Sequence, residues 1–269
     1  MDGMKTILCD DIKASLHGQD YFSAQSKLYA RFRPKYPPAL FEFLSKDLDP
    51  GDLIWDCGAG SGQATRGFDQ SFQVLATDRS FQQLEQNVFS TNTLYVRALS
   101  ESSPIASNSI ALVTVAQALH WFDFESFYGE VDRVLTESGM IAVWTYSFLS
   151  ASAQLGKPID ERIRDFYGNV VGPYWPPERK WVDALYRTIP FPFEEIAVPR
   201  LTIEISWSLE DLIGYISSWS AVAEYRRILG IDPVPQLEKK LEGIWGKKDE
   251  VRSMSWPIGL RVGKRSRYP

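Results

Sequence analysis

The sequence predicts an α/β fold, a mostly parallel sheet with helices on both faces. Three observations predict it. Short apolar runs alternate with helix-like segments between residues 53 and 146. A glycine-rich corner, Asp56-Cys57-Gly58-Ala59-Gly60-Ser61-Gly62, follows the first run. An acidic residue, Asp78, closes the second run, twenty positions after Gly58.

The elements follow in order. Residues 1–20 are mixed and polar, and Pro34, Pro37 and Pro38 then force an extended break. A helix is expected from Pro38 to Leu48, with Leu40, Phe41 and Leu44 on one face. Leu53-Ile54-Trp55 reads as the first buried strand, and Gln63–Phe68 as the start of a helix after the glycine corner. Strands are expected at Phe72–Thr77, Thr93–Arg97, Ile110–Val115 and Met140–Tyr146, with helices at Phe81–Phe89 and Phe124–Leu135. Ser138-Gly139 reads as the turn into the fifth strand. Right-handed crossovers bring Gly58–Gly62, Asp78, Ala98–Ser100 and Gln117–Trp121 to one crevice. From about Leu149 to Pro199 prolines and aromatics interleave, which reads as a helical insertion over the crevice. Beyond it, Leu201–Trp207 alternates like an edge strand, Ser208 is an N-cap for Leu209–Ser218, a helix covers Pro235–Trp245, and Trp256–Val262 completes the sheet. The expected organisation is thus a cap segment (1–48), a core (49–148), an insertion (149–200) and a C-terminal completion (201–269).

Composition narrows the function. The chain has 269 residues, 44% hydrophobic and 23% charged, as ordinary globular proteins have. A formal net charge of −5 disfavours a nucleic-acid partner. Arg261, Lys264, Arg265 and Arg267 read as a solvated basic end. Two distant cysteines, Cys9 and Cys57, suit a reducing cytoplasm, and no stretch reads as a secretion signal or membrane span. No His/Cys/Asp/Glu cluster has metal-ligand spacing, so no metal is expected. The oligomeric expectation is a monomer or weak homodimer.

The glycine spacing is G-x-G-x-G, whereas dinucleotide sites use G-x-G-x-x-G. Asp56 would repel a pyrophosphate but could accept bonds from an ammonium group, directly or through water. His120 is the histidine nearest the crevice; it is a candidate base, or equally a residue that shapes the pocket. Trp121, Tyr146, Trp175 and Trp219 are candidate substrate-pocket walls, with core packing as the plain alternative.

These features resemble the class I S-adenosylmethionine-dependent methyltransferases. The chain is similar in particular to their small-molecule branch, which includes the fungal trans-aconitate methyltransferases. The matching segments are Tyr29–Pro37, Asp56–Gly62, Ala76-Thr77-Asp78, Gln117–Asp123, Arg133-Val134-Leu135, Trp219-Ser220-Ala221 and Trp256–Gly263. The resemblance implies a Rossmann-like, mostly parallel seven-stranded sheet with a helical lid insertion. It implies S-adenosyl-L-methionine as cofactor, with Asp56, Gly58, Gly60 and Gly62 around its methionine part and Asp78 on its ribose. Leu99 and Ser100 would flank the adenine, Gln117 would lie under the sulfonium, and Tyr29 and Arg33 would reach over from the cap. The acceptor would be a small molecule, with a carboxylate oxygen as one candidate. A nucleotide-binding oxidoreductase and a cofactor-binding regulatory protein without turnover are the rival readings.

Overall fold

The computed structural model describes residues 32–68, 72–86, 91–151, 156–247 and 249–265. Its strands are β1 (Leu53–Cys57), β2 (Gln73–Asp78), β3 (Thr93–Arg97), β4 (Ile110–Ala116), β5 (Leu135–Tyr146), β6 (Ser150–Ala151), β7 (Glu194–Glu195), β8 (Thr202–Trp207) and β9 (Arg252–Lys264). Its α-helices are α1 (Pro38–Ser45), α2 (Phe81–Leu84), α3 (Phe124–Val134), α4 (Gly156–Asp165), α5 (Arg179–Asp183), α6 (Leu209–Ser217), α7 (Ser220–Leu229) and α8 (Val234–Trp245). The chain divides into two compact units. Among the described residues, one draws on 34–156, 176–206 and 252–265, and the other on 32–33, 157–175 and 207–251. Residues 149–200, read together as an insertion, are therefore shared between the units.

The first unit is built on a nine-stranded sheet ordered β3-β2-β1-β4-β5-β9-β6, with β7 and β8 also pairing β9. The sheet has two more strands than the seven expected, because the short β6 and β7 attach to the long β9. β1 to β5 run parallel, and β9 enters antiparallel to β5. Helices cover both faces. Trp55, Val113, Val115, Ile141 and Val143 bury one face against Phe127, Val131 and Val134 of α3. Trp144 points the opposite way along β5, and its ring meets Tyr36, just ahead of α1, edge-on at 5.6 Å. α1 begins with Pro38 in its first turn and buries Leu40, Phe41 and Leu44, the face expected; it ends at Ser45, before the predicted Leu48.

Three local expectations are corrected. Among the described residues no α-helix follows the glycine corner; turns lead to a 3-10 turn at Thr65–Gly67, where Phe41 packs so closely on Gly67 that a Cβ would lie 2.0 Å from its ring. Ser138-Gly139 is extended chain within β5, and the register shifts opposite Ile110–Leu112. The basic end is not merely solvated: Arg261 pairs with Glu195 and Arg265 with Asp132, while Arg267 lies outside the described residues. α2 ends at Leu84, short of the expected Phe89, and residues 87–89 of the expected helix lie outside the described residues.

The Arg133 motif acquires a physical role. Arg133 donates through Nε and Nη2 to Glu130 (2.8 and 2.7 Å) and through Nη1 to Ile105 O. Glu130 also accepts from Ser103 N and Oγ, so α3 is stitched to the polar loop after β3. The arginine bond, joined by the Ser103 bonds, holds the Glu130 carboxyl down at about 2.

The second unit is helical. Ser208 caps α6 as expected, in a reciprocal box with Asp211. An additional helix, α7, starts directly after Trp219. Among the described residues no helix is long and apolar enough to cross a membrane.

Candidate functional site

The strand order reverses between β1 and β4, and the loops leaving their carboxyl ends open the crevice there. The first of these loops carries Gly58, Gly60 and Gly62, all with left-handed backbone (φ 70°, 55° and 70°). A side chain would be strained at each position, so the conformation favours glycine there. Gly58 and Ala59 both donate to Thr77 O at 2.9 Å, tying the loop to the end of β2. At Gly58 a Cβ would also fall 2.6 Å from Ala118 Cβ, so the β4 loop lies directly against it. At Gly60 a Cβ would meet Gln83 Oε1 at 3.9 Å, an ordinary van der Waals contact.

Two carboxylates support the loop differently. Asp78 accepts from Gly60 N (2.9 Å) with one oxygen and from Ser80 N (2.7 Å) with the other. It is half-buried, and desolvation raises its carboxyl above the ordinary range despite those two bonds. Each oxygen of an ionised carboxylate offers a second lone pair, so two hydroxyls of a ligand can still be received. Asp56 has no accessible surface. Its oxygens accept from the hydroxyls of Thr65 (2.5 Å) and Thr114 (3.1 Å), so it braces the corner from within the sheet.

Burial pushes Asp56 up to about 6, outweighing the lowering by both threonine hydroxyls. A raised acid favours its protonated form in the folded chain. The stability it contributes is complete below 3.8 and is lost as pH rises through about 6. Asp56→Asn should therefore gain on the parent, by on the order of 2–3 kcal/mol, between about pH 4 and pH 7. Urea unfolding of both proteins across that range checks this, and parallel pH curves would disprove it.

On the β4 side, Gln117 is a non-glycine residue with φ 57°, an observed strain beside the crevice. Its N–H donates to Trp144 O (2.9 Å) and its Nε2 to Tyr146 O (3.2 Å), while its Oε1 accepts from Thr145 Oγ1 (2.7 Å). His120 and Trp121 stand on the following 3-10 turn, Leu119–Trp121. His120 is half-buried, with Nδ1 at 2.8 Å from Tyr186 Oη, and Trp121 is 47% exposed beside it. Phe122 stacks into the core on Phe127. Leu99 is exposed and Ser100 half-buried just beyond the end of β3, and Tyr146 is buried against Tyr36. The indole Nε1 of Trp144 is buried and has no hydrogen-bond partner among the described residues.

The first unit thus brings Asp56, Gly58, Gly60, Gly62, Asp78 and Gln117 to one edge of the sheet. Trp175 and Trp219 belong to the helical unit, where they pack on each other (5.7 Å) and on Tyr167. Arg33 also belongs to that unit, and Tyr29 lies outside the described residues. Sequence reasoning missed Thr65, Thr114 and Tyr186. A threonine in the middle of an apolar strand, as Thr114 is, was the one available signal; Tyr186 had none.

Residues 55–143 match the model of a methyltransferase domain family. A Dictyostelium discoideum protein named as a candidate methyltransferase is 34% identical over 251 residues, covering 91% of this chain and 95% of its own. A solved structure from Anaeromyxobacter dehalogenans, described as a candidate type II methyltransferase, is 35% identical with a TM-score of 0.80. It covers 88% of this chain and 100% of its own. A candidate S-adenosylmethionine-dependent methyltransferase of Saccharomyces cerevisiae is 29% identical over 132 residues, 45% of either chain.

Proposed function

We propose, because this chain belongs to the class I S-adenosylmethionine-dependent methyltransferases, that it methylates a small-molecule acceptor, with a carboxylate oxygen as the leading candidate. Its cofactor is S-adenosyl-L-methionine. The observation that carries the reading is the meeting of the left-handed glycine loop, Asp78 and Gln117 at the point of strand reversal. The remaining lone pairs of Asp78 fit the ribose hydroxyls of an adenosyl amino acid. In this reading Gly58–Gly62 cradle the methionyl portion, Asp78 receives the ribose hydroxyls, Leu99 and Ser100 flank the adenine, and Gln117 lies beneath the sulfonium. Asp56 acts from below, holding Thr65 and Thr114 so that the loop keeps its shape.

When bound, the cofactor supplies an electrophilic methyl carbon on a sulfonium and leaves as S-adenosylhomocysteine. The protein's share is to hold the acceptor oxygen in line with that carbon and to keep water away. A carboxylate brings its own lone pair and surrenders no proton. An alcohol or phenol must lose one, and in this reading His120 receives it. The net charge of −5 supports a small acceptor over a nucleic acid. The branch that resembles trans-aconitate methyltransferases is part of this proposal.

Two measurements test it together. Calorimetric titration should give micromolar binding of S-adenosylhomocysteine and none of NAD or NADP. With methyl-labelled cofactor, a panel of small acids, phenols and amines should yield label that mild alkali releases as methanol, the signature of a methyl ester. Alkali-stable label on a phenol or amine would reject the carboxylate assignment, and nicotinamide binding would reject the whole reading.

A further inference from the structure

The tail motif Trp256–Gly263 has a use beyond closing the sheet, and it leads to His120. The phenol that meets His120 Nδ1 at 2.8 Å belongs to Tyr186, which is fully buried and 66 positions away in the chain. It arrives there through two consecutive left-handed residues, Leu185 (φ 53°) and Tyr186 (φ 60°). Two bulky residues in that conformation persist only where their surroundings impose it, and such strain gathers at functional sites.

β9 imposes it. A Cβ at Gly259 would lie 2.6 Å from both Leu185 Cβ and Leu185 O, so the strained turn sits directly on that glycine. Two positions on, Arg261 Nη1 donates to Tyr186 O (3.0 Å) and Ile189 O (2.6 Å). Its Nε and Nη2 donate to the Glu195 carboxylate (3.1 and 2.6 Å), which fixes the guanidinium. Phe191 stacks over the same guanidinium at 4.5 Å.

We propose that Tyr186 is the positioning residue of His120, clamped from β9 by Gly259 and Arg261. The phenol commits Nδ1 and sets the ring's rotation. This rests on the reading of the crevice as the acceptor site. A tyrosine needed only for packing would be replaceable by phenylalanine, and a strained turn would not be required to deliver its hydroxyl.

The chain has two histidines, so nitrogen-15 imidazole spectra are assignable by comparison with His120→Gln. Tyr186→Phe should move both His120 nitrogen signals while leaving the melting temperature close to the parent's. It should lower kcat about tenfold on a phenol or alcohol acceptor, with the cofactor KM unchanged. Arg261→Lys should produce the same spectral change with the tyrosine hydroxyl intact. Parent-like His120 signals in Tyr186→Phe would overturn the proposal, and so would altered signals with undiminished kcat on a phenol or alcohol acceptor. The spectra are read without any acceptor, so they decide the contact even where the acceptor assignment fails.

Discussion

Gly58→Ala is expected to abolish S-adenosylhomocysteine binding and to destabilise the fold by roughly 2–5 kcal/mol. Two costs add. An alanine at φ 70° pays for left-handed backbone, on the order of 1–2 kcal/mol. Its Cβ then lies 2.6 Å from Ala118 Cβ and 3.1 Å from Phe122 Cζ, and neither neighbour is a flexible tip. Relieving the clash moves the start of the Leu119–Trp121 turn, a displacement that adds about 1–3 kcal/mol. Gly51→Ala separates the two costs, since Gly51 has φ 96° with nothing within 4 Å. That variant should lose about 1 kcal/mol and bind the cofactor product as the parent does. Urea unfolding and calorimetry on both variants make the comparison. Equal binding by Gly58→Ala and the parent would mean the loop does not form the cofactor site.

Asp78→Ala should weaken S-adenosylhomocysteine binding at least tenfold. The parent carboxylate accepts the Gly60 and Ser80 N–H groups, and both lose their acceptor in the variant. Removing a charged hydrogen-bond partner costs about 1.5–3 kcal/mol, or roughly 10- to 100-fold in affinity. Asp78→Asn retains one acceptor oxygen and presents an NH2 to the other donor, so it should fall between the parent and the alanine variant. Calorimetry at fixed salt gives the order. Parent-like affinity in Asp78→Ala would remove Asp78 from the cofactor site and leave it a loop anchor only.

The parallel strands were legible because buried strands are short apolar runs bounded by turn residues, and β3 matches its expected bounds residue for residue. The glycine loop was legible because left-handed backbone demands glycine, and that demand shows in the spacing. Elements made by tertiary contact were not. β6 and β7 are two residues each and exist only because β9 is long enough to pair with them. α7 begins at Ser220 without a side-chain cap, so its start carried no signal. Among the described residues the expected helix after Gly62 is a 3-10 turn instead, with Phe41 packed directly on Gly67, a contact no local pattern announces. Asp56 looked like a ligand contact in one dimension, yet two threonines, nine and 58 positions away, share its carboxylate inside the sheet.

The antiparallel entry of β9 also sets a schedule for biosynthesis. β5 pairs with residues made long after it, Tyr146 with Ile258 and Met140 with Lys264. At about 5–20 residues per second, the ribosome leaves that edge bare for roughly 6–24 seconds. The bare edge reads Met140-Ile141-Ala142-Val143-Trp144, an apolar strand with no charge to discourage pairing with a neighbour. A nascent chain stalled before residue 252 is therefore a hazard to other chains as well as incomplete. The same delay withholds Gly259 and Arg261, so the histidine's support is assembled last, together with the strand that covers the β5 edge.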